Sequence, residues 1–250
     1  MKERIKISSV SYLNSTPFVY GIEKKLDKGL YQLELDIPSV CAEKLLTGKV
    51  DIGLVPVAII PLLKEHHIIS NYCIGAVGKV RSVMLYSNVE LKQIKDILLD
   101  NQSRTSVILT KVLAKHFWNI APEWINASEG FEKKISGNTG GVVIGDRTFA
   151  MENKFKYVYD LSEEWEKFTG FPFVFACWVS NRPIDSDFLK AFDLALQFGV
   201  NDITTVIENL KDLPADIEVV KDYLKNNISY SFDDKKKQGL EKFLFLSKSL

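Results

Sequence analysis

The opening third of the chain alternates short apolar runs with helix-like stretches, and this rhythm limits the fold more than any other feature. Ile5-Lys6-Ile7-Ser8-Ser9-Val10 alternates with the period of a strand. Ser11-Tyr12-Leu13-Asn14-Ser15-Thr16 follows as a polar turn. Thr16 is placed to cap a helix with Pro17 at its first position, and residues 18–26 continue it. Residues 31–37 alternate again, Pro38-Ser39 opens a helix over residues 40–46, and Gly48 closes it. Residues 51–57 form a short apolar run suited to a buried strand. Parallel neighbours need a crossover, usually a helix, so strand–helix–strand–helix–strand predicts a parallel α/β sheet.

A second set follows. Residues 80–87 and 96–100 read as strands. Asn101-Gln102-Ser103-Arg104-Thr105-Ser106 is another polar turn, and Ile108, Val112 and Leu113 recur at helical spacing over residues 107–117. Residues 140–146 read as a strand ending in a turn, 157–161 as extended chain and 173–179 as a long apolar strand. Helical patterns over 186–199, 202–209, 215–226 and 233–247 complete the chain. The division expected is a discontinuous first lobe, residues 1–80 with 180–250, and an inserted second lobe, residues 83–174. Hinge strands are placed near 79–86 and 172–180. Two lobes joined by two strands leave a cleft in which a small ligand binds.

Composition narrows the partners. The 32 basic and 32 acidic residues leave no basic surplus for nucleic-acid phosphates. No run approaches the roughly 18 apolar residues of a membrane span. Cys41, Cys73 and Cys177 are widely spaced and form no CxxC pair, which argues against a disulfide framework or a zinc site. Met1-Lys2-Glu3-Arg4-Ile5-Lys6-Ile7 lacks the apolar stretch of a signal peptide, so a cytoplasmic, reduced location is expected.

The candidate chemistry lies in the turns. Asn14-Ser15-Thr16, Pro38-Ser39 and Ser103-Arg104-Thr105-Ser106 precede helices, whose free N–H groups and partial positive charge attract anions. The chain has only five arginines, Arg4, Arg81, Arg104, Arg147 and Arg182. The last four lie beside turns or crossings, suited either to substrate carboxylates or to salt bridges between lobes. Asp146 ends Ile144-Gly145-Asp146 as a ligand-facing carboxylate or an Asx turn. His66, His67 and His116 belong to no turn motif, and no nucleotide loop, nucleophile elbow or metal motif is present. No metal and no cofactor are therefore expected.

Taken in order, these segments resemble the chorismate dehydratases of the futalosine route of menaquinone biosynthesis. The resemblance rests on Ser11-Tyr12-Leu13-Asn14-Ser15-Thr16-Pro17, Pro38-Ser39, Asp51-Ile52-Gly53-Leu54-Val55-Pro56 and Ser82-Val83-Met84-Leu85-Tyr86-Ser87. It continues through Ser103-Arg104-Thr105-Ser106, Ile144-Gly145-Asp146, Glu164-Trp165 and Thr169-Gly170-Phe171-Pro172-Phe173-Val174-Phe175-Ala176-Cys177-Trp178. In the tail it takes in Tyr223-Leu224, Ile228, Tyr230, Gly239-Leu240 and Phe243. It implies a two-lobed periplasmic-binding-protein type II fold used as a hydro-lyase. The implied reaction is cofactor-free dehydration of chorismate, a small dicarboxylate, to 3-[(1-carboxyvinyl)oxy]benzoate. The family's key asparagine falls on Asn14. Tyr12, Ser39, Ser82, Arg104, Thr105, Ser106 and Asp146 are expected around the substrate. The rival readings are the dihydroxynaphthoate synthase of the same route, which calls for a cleft histidine, and a non-catalytic small-anion-binding protein.

Overall fold

The computed structural model describes residues 4–250. β1 (Ile5–Val10), α1 (Thr16–Lys25), β2 (Tyr31–Asp36), α2 (Pro38–Leu46) and β3 (Ile52–Pro56) come first, with β1 paired in parallel to both β2 and β3. β4 (His67–Ala76) leads out of this unit, and residues 77–82 cross to β5 (Val83–Ser87). β6 (Asp96–Asp100), α3 (Thr105–Leu113), β7 (Glu123–Ala127), β8 (Thr139–Ile144), β9 (Tyr157–Asp160) and α4 (Leu161–Thr169) build the second unit. β10 (Phe173–Ser180) returns to the first, followed by α5 (Ser186–Asn201), α6 (Ile203–Glu208), α7 (Ile217–Asp222), β11 (Ser229–Ser231) and α8 (Asp234–Ser247).

Each lobe has its own sheet, in the orders β11-β4-β10-β3-β1-β2 and β7-β6-β8-β5-β9. The parallel trio β3-β1-β2 has a counterpart in β8-β6-β7, and each trio is flanked by an antiparallel strand, β10 or β5. The lobes thus repeat a topology without repeating a sequence. Ligands of open α/β sheets bind outside the carboxyl ends of such strands. Those ends are Val10 and Pro56 in one lobe, Asp100 and Ile144 in the other.

β10 is buried along its whole length between two antiparallel neighbours, which explains its unbroken apolar run. Trp178 takes the edges of Phe18 and Phe192 at centroid distances of 5.9 and 5.0 Å. Emptying such a site, as in Phe18→Ala, costs about 3–5 kcal/mol. α1 and α5 touch backbone to backbone at two glycines: a Cβ on Gly21 would lie 1.9 Å from the Ala195 carbonyl oxygen, and one on Gly199 would lie 1.7 Å from that of Pro17.

Several local expectations change. Thr16 does not cap α1; its hydroxyl donates to the Leu13 carbonyl at 2.7 Å, because residues 13–15 already form a 3-10 turn. The strand expected from residue 80 starts at Val83, since Arg81 has φ 62° and donates its N–H to Asp160 at 2.7 Å, which breaks extended geometry. α3 gives way after Leu113 to a wider turn over residues 114–118, which ends at the left-handed Asn119. Helices do not fill the whole tail, because β11 adds to the exposed side of β4. α4 is sealed by Asp160, which accepts N–H bonds from Ser162 and Glu163, and by Gly170 at φ 75°.

Candidate functional site

The cleft between the lobes is lined from the first lobe by Val10, Tyr12, Asn14, Pro38, Pro56, Ile74, Phe175 and Ala176. Val80, Ser82 and Val83, from the crossing and the start of β5, join Ser103, Thr105, Ser106, Ile144 and Gly145 on the other side. Its open volume is about 60 Å³. That is room for about two waters at roughly 30 Å³ each, whereas ligand pockets run to about 300–1,000 Å³. These are lobes closed upon one another.

The closing contacts are specific. The Tyr12 hydroxyl donates to Oε1 of Gln102 in the other lobe. Its ring packs on Gly145, where a Cβ would meet Tyr12 carbons at 2.8–3.0 Å and where φ is +69°, so the position requires glycine on two counts. The Leu13 N–H donates to both Asp146 carboxylate oxygens, at 3.2 and 3.1 Å. Thr105 donates its hydroxyl to the Phe175 carbonyl at 3.1 Å and accepts the Ala58 N–H at 3.3 Å. Burial pushes the Tyr12 phenol well above its ordinary range, with Asp100 adding to the rise, so it stays a neutral hydrogen-bonding group.

Asn14 sits in the 3-10 turn that carries β1 into α1. Its carbonyl accepts a hydrogen bond from the Tyr230 hydroxyl at 3.1 Å. Across the cleft, Ser82 is buried and accepts from the Tyr223 hydroxyl at 2.8 Å. Among the described lining residues no carboxylate, lysine, arginine or histidine appears. The cleft offers amide, hydroxyl and backbone groups.

The structure therefore brings Tyr12, Asn14, Ser82, Thr105 and Ser106 to one cleft. It places three expected residues differently. Ser39 does not line the cleft; Pro38 takes the facing position, and one residue further along a helix turns the side chain by about 100°. Asp146 neither faces the cavity nor forms an Asx turn. It holds the Leu13 N–H across the lobe boundary, and burial raises its pKa against that bond. Arg104 stands half-buried at the start of α3, next to the lining residues rather than among them. The turn it opens is not an empty anion cradle, because the Ser103 hydroxyl already takes the Ser106 N–H at 3.0 Å.

Arg81, Arg147 and Arg182 behave as structural cations. Arg81 joins Asp222 of the tail at 3.0 Å to Glu152 of the second lobe at 2.9 Å. Arg147 pairs with buried Asp100 and with Glu132, and Arg182 with Asp51 at 2.7 Å. His66 and His67 line a separate groove on the first lobe, and His116 meets the Ser249 hydroxyl at 2.9 Å. Gln102, Gly145 and Tyr223 are functional-site neighbours that were not among the expected site residues. Gly145 was visible within Ile144-Gly145-Asp146, but Gln102 carried no signal.

The comparisons with known proteins agree with this architecture. A chorismate dehydratase of Thermus thermophilus is 27% identical over 230 residues, covering 83% of each chain. A protein of Archaeoglobus fulgidus of solved structure superposes with a TM-score of 0.74 at 14% identity, over 98% of this chain and 97% of the other. The periplasmic aliphatic sulphonate-binding protein of Escherichia coli does so with a TM-score of 0.60 at 12% identity, over 100% and 93%. The fold is the two-lobed periplasmic-binding-protein architecture.

These neighbours overturn the cytoplasmic location expected from the sequence. The fold is shared with the periplasmic sulphonate-binding protein of E. coli, with an alkanesulfonate-binding protein and with an ABC transporter protein. The unpaired thiols do not outweigh this, because Cys41, Cys73 and Cys177 are all buried and a buried thiol does not report its compartment. Residues 5–248 match the family described as menaquinone biosynthesis, and with nearly the whole sequence inside that match the chain belongs to this family.

Proposed function

We propose that the protein dehydrates chorismate to 3-[(1-carboxyvinyl)oxy]benzoate in the cleft between its lobes, the step that commits chorismate to menaquinone by the futalosine route. The observation that carries the reading is the lining itself: one carboxamide, Asn14, among hydroxyls and apolar walls, with no ionised side chain. The 27%-identical chorismate dehydratase of Thermus thermophilus supports it.

The chemistry asks little more of the protein. The C4–O bond breaks and the hydroxyl leaves with the electron pair. The C3–H electrons become the new ring double bond, and the C3 proton ends up in the released water. Aromatisation makes the reaction downhill, so the task is orientation, worth up to about 7–11 kcal/mol in ideal cases. Asn14 donates an N–H to the departing hydroxyl and stabilises its developing negative charge. The substrate's own side-chain carboxylate takes the C3 proton, a role for which the lining residues offer no carboxylate or imidazole. In the opened form, Arg104 and the Ser39 backbone N–H that opens α2 receive the two carboxylates, while Ser82, Thr105 and Ser106 flank the ring. Tyr12 covers the ring from the first lobe, and Asp146 acts by holding the lobes shut rather than by touching substrate.

The nearly filled cleft means that substrate enters an opened form. The moving bodies we propose are residues 1–80 with 180–250 against 83–174, hinged near 79–86 and 172–180. The deciding experiment is incubation of purified protein with chorismate, following the aromatic enolpyruvyl ether. Product formation is expected. Saturable binding with chorismate recovered unchanged would make the protein an anion-binding relative instead.

A further inference from the structure

We propose that Phe175 is the aromatic wall of the cleft, a specificity-determining residue that holds the substrate ring more tightly as that ring flattens into benzene. It stands at an irregularity in β10. Val174 lies opposite Gly75 of β4 and Ala176 opposite Ile74, the next residue of β4, so Phe175 is one residue too many. The pairing with β3 begins only at Ala176. Phe175 is thus the one residue of β10 with no register partner on either side. Such bulges re-aim a side chain and are over-represented next to active sites. The Phe175 carbonyl accepts the Thr105 hydroxyl of α3 at 3.1 Å.

Phe175 lines the cleft, and its ring is braced by other rings. Phe173 meets it at 4.7 Å and 67°. Phe173 is itself fixed by Trp165 of α4, at 5.4 Å and 69°, and by Phe243 of α8, at 5.1 Å and 84°. A ring braced in this way is ordered before a ligand arrives, which removes part of the cost of binding. Among the described lining residues only Tyr12 and Phe175 are aromatic. Tyr12 spends its ring on Gly145 and its hydroxyl on Gln102. Phe175 is left as the aromatic surface for a ligand ring, while Val10, Pro38, Pro56 and Ile74 give the cleft shape without a π system.

The chemistry gives that surface a use. C3 and C4 of chorismate are tetrahedral and pucker the ring; once the hydroxyl and the C3 hydrogen have gone, both are trigonal and the ring is a flat benzene. Two aromatic rings gain from offset-stacked or edge-on contact beyond the area they bury. Phe175 makes that contact fully with the product and only in part with the puckered diene. An interaction that grows along the reaction lowers the barrier, whereas equal binding throughout does not. The ligand class the wall selects is therefore a planar aryl dicarboxylate, preferred over a saturated ring carrying the same two carboxylates.

The proposal deepens the dehydratase reading and rests on it for a kinetic test, but not for a binding test. By calorimetry, wild-type protein should bind 3-(carboxymethoxy)benzoate about 3- to 10-fold more tightly than 3-(carboxymethoxy)cyclohexanecarboxylate, the scale of one aromatic pair. Phe175→Leu, which keeps an apolar side chain without a π system, should bind the two equally. In phenylalanine-labelled wild type, nuclear Overhauser contacts should join a Phe ring to the benzoate ring, and Phe175 is the only phenylalanine among the described lining residues. No preference in wild type, a preference that survives in Phe175→Leu, or no contact to a Phe ring overturns the proposal; the first and the last decide it even if the variant does not fold. With chorismate as substrate, Phe175→Leu should raise the product inhibition constant about 3- to 10-fold and leave KM within about 2-fold. An equal rise in both overturns it. A wild-type protein inert toward chorismate would sink the dehydratase reading, while the ring preference still judges Phe175.

Discussion

Two strand-to-helix turns meet at the cleft, one from each lobe, and they spend their polar groups in opposite ways. After β1, the Ser15 hydroxyl donates to the Val10 carbonyl and, at 2.7 Å, to that of Tyr12, while Thr16 donates to Leu13. These hydroxyls tighten the turn on itself, and Asn14 is left at the cavity. After β6, Ser103 caps Ser106, Thr105 reaches Phe175 and Ala58 in the first lobe, and Gln102 takes the Tyr12 hydroxyl. One turn presents the Asn14 side chain to the cavity; the other uses its groups to draw the lobes together. A run of small polar residues before a helix serves either end, because a hydroxyl can satisfy its own backbone or cross to a neighbour.

The sharpest way to break this contrast is at Asn14. Asn14→Asp should fold with little change in Tm and lose about 100- to 1,000-fold in turnover, the usual cost of one oxyanion-type donor. Near-wild-type turnover of chorismate would reduce Asn14 to a turn residue. Next in size is Gly145→Ala. Its Cβ would collide with Tyr12, and its φ of +69° disfavours any side chain. The lobes should then fail to close, with kcat/KM down roughly 100-fold and a larger radius of gyration by small-angle scattering. An unchanged scattering profile would show that closure does not run through this contact.

Thr105→Val keeps the shape and removes the hydroxyl, leaving the Phe175 carbonyl without that partner. It should destabilise by about 1–3 kcal/mol, seen as a lower Tm, and raise KM. An intact Tm would dissociate Thr105 from lobe stitching. Ser103→Ala removes the helix cap alone and should cost about 1 kcal/mol in thermal unfolding, with kcat preserved. A loss in kcat without a loss in stability would instead move Ser103 into the chemistry.

The smallest effect expected is a pH dependence at Asp146. Burial raises its folded-state pKa, the Leu13 N–H opposing. A raised pKa means that the folded protein holds the proton more tightly than the unfolded chain. The stabilisation is then complete below the unfolded carboxylate pKa of about 3.9 and is lost as pH rises through the folded value. Asp146→Asn keeps an acceptor for Leu13 without a charge to bury. Its stability relative to wild type should therefore improve from about pH 4 to pH 7; a constant difference across that range would show that the carboxylate is not penalised by burial.

Much of this architecture could be read from residues near one another in the chain. β1 through β3 follow from alternation, from Pro17 and Pro38 at helix starts and from the apolar run of β3, since strand and helix periods are local properties. The β10 run reads as a long apolar strand for the same reason, and the structure buries it along its length. β4 was not legible, because its outer half is exposed and its inner half buried, so neither alternation nor an unbroken apolar run marks it. The ordered motifs also located Asn14, Ser82, Thr105 and Ser106, each at a turn or strand end that the sequence itself defines.

What the sequence by itself determined, then, is the α/β rhythm, the family and the small polar turns that carry its chemistry. The tertiary structure alone decided what each polar group is spent on. Asp146 reads as a ligand-facing carboxylate or an Asx turn and holds Leu13, 133 positions away; Tyr223, part of the resemblance in the tail, reaches Ser82 across 141. A hydrogen bond has no sequence period. Its partner is set by which strand ends two separately folded sheets bring together, and that follows only once both lobes have closed.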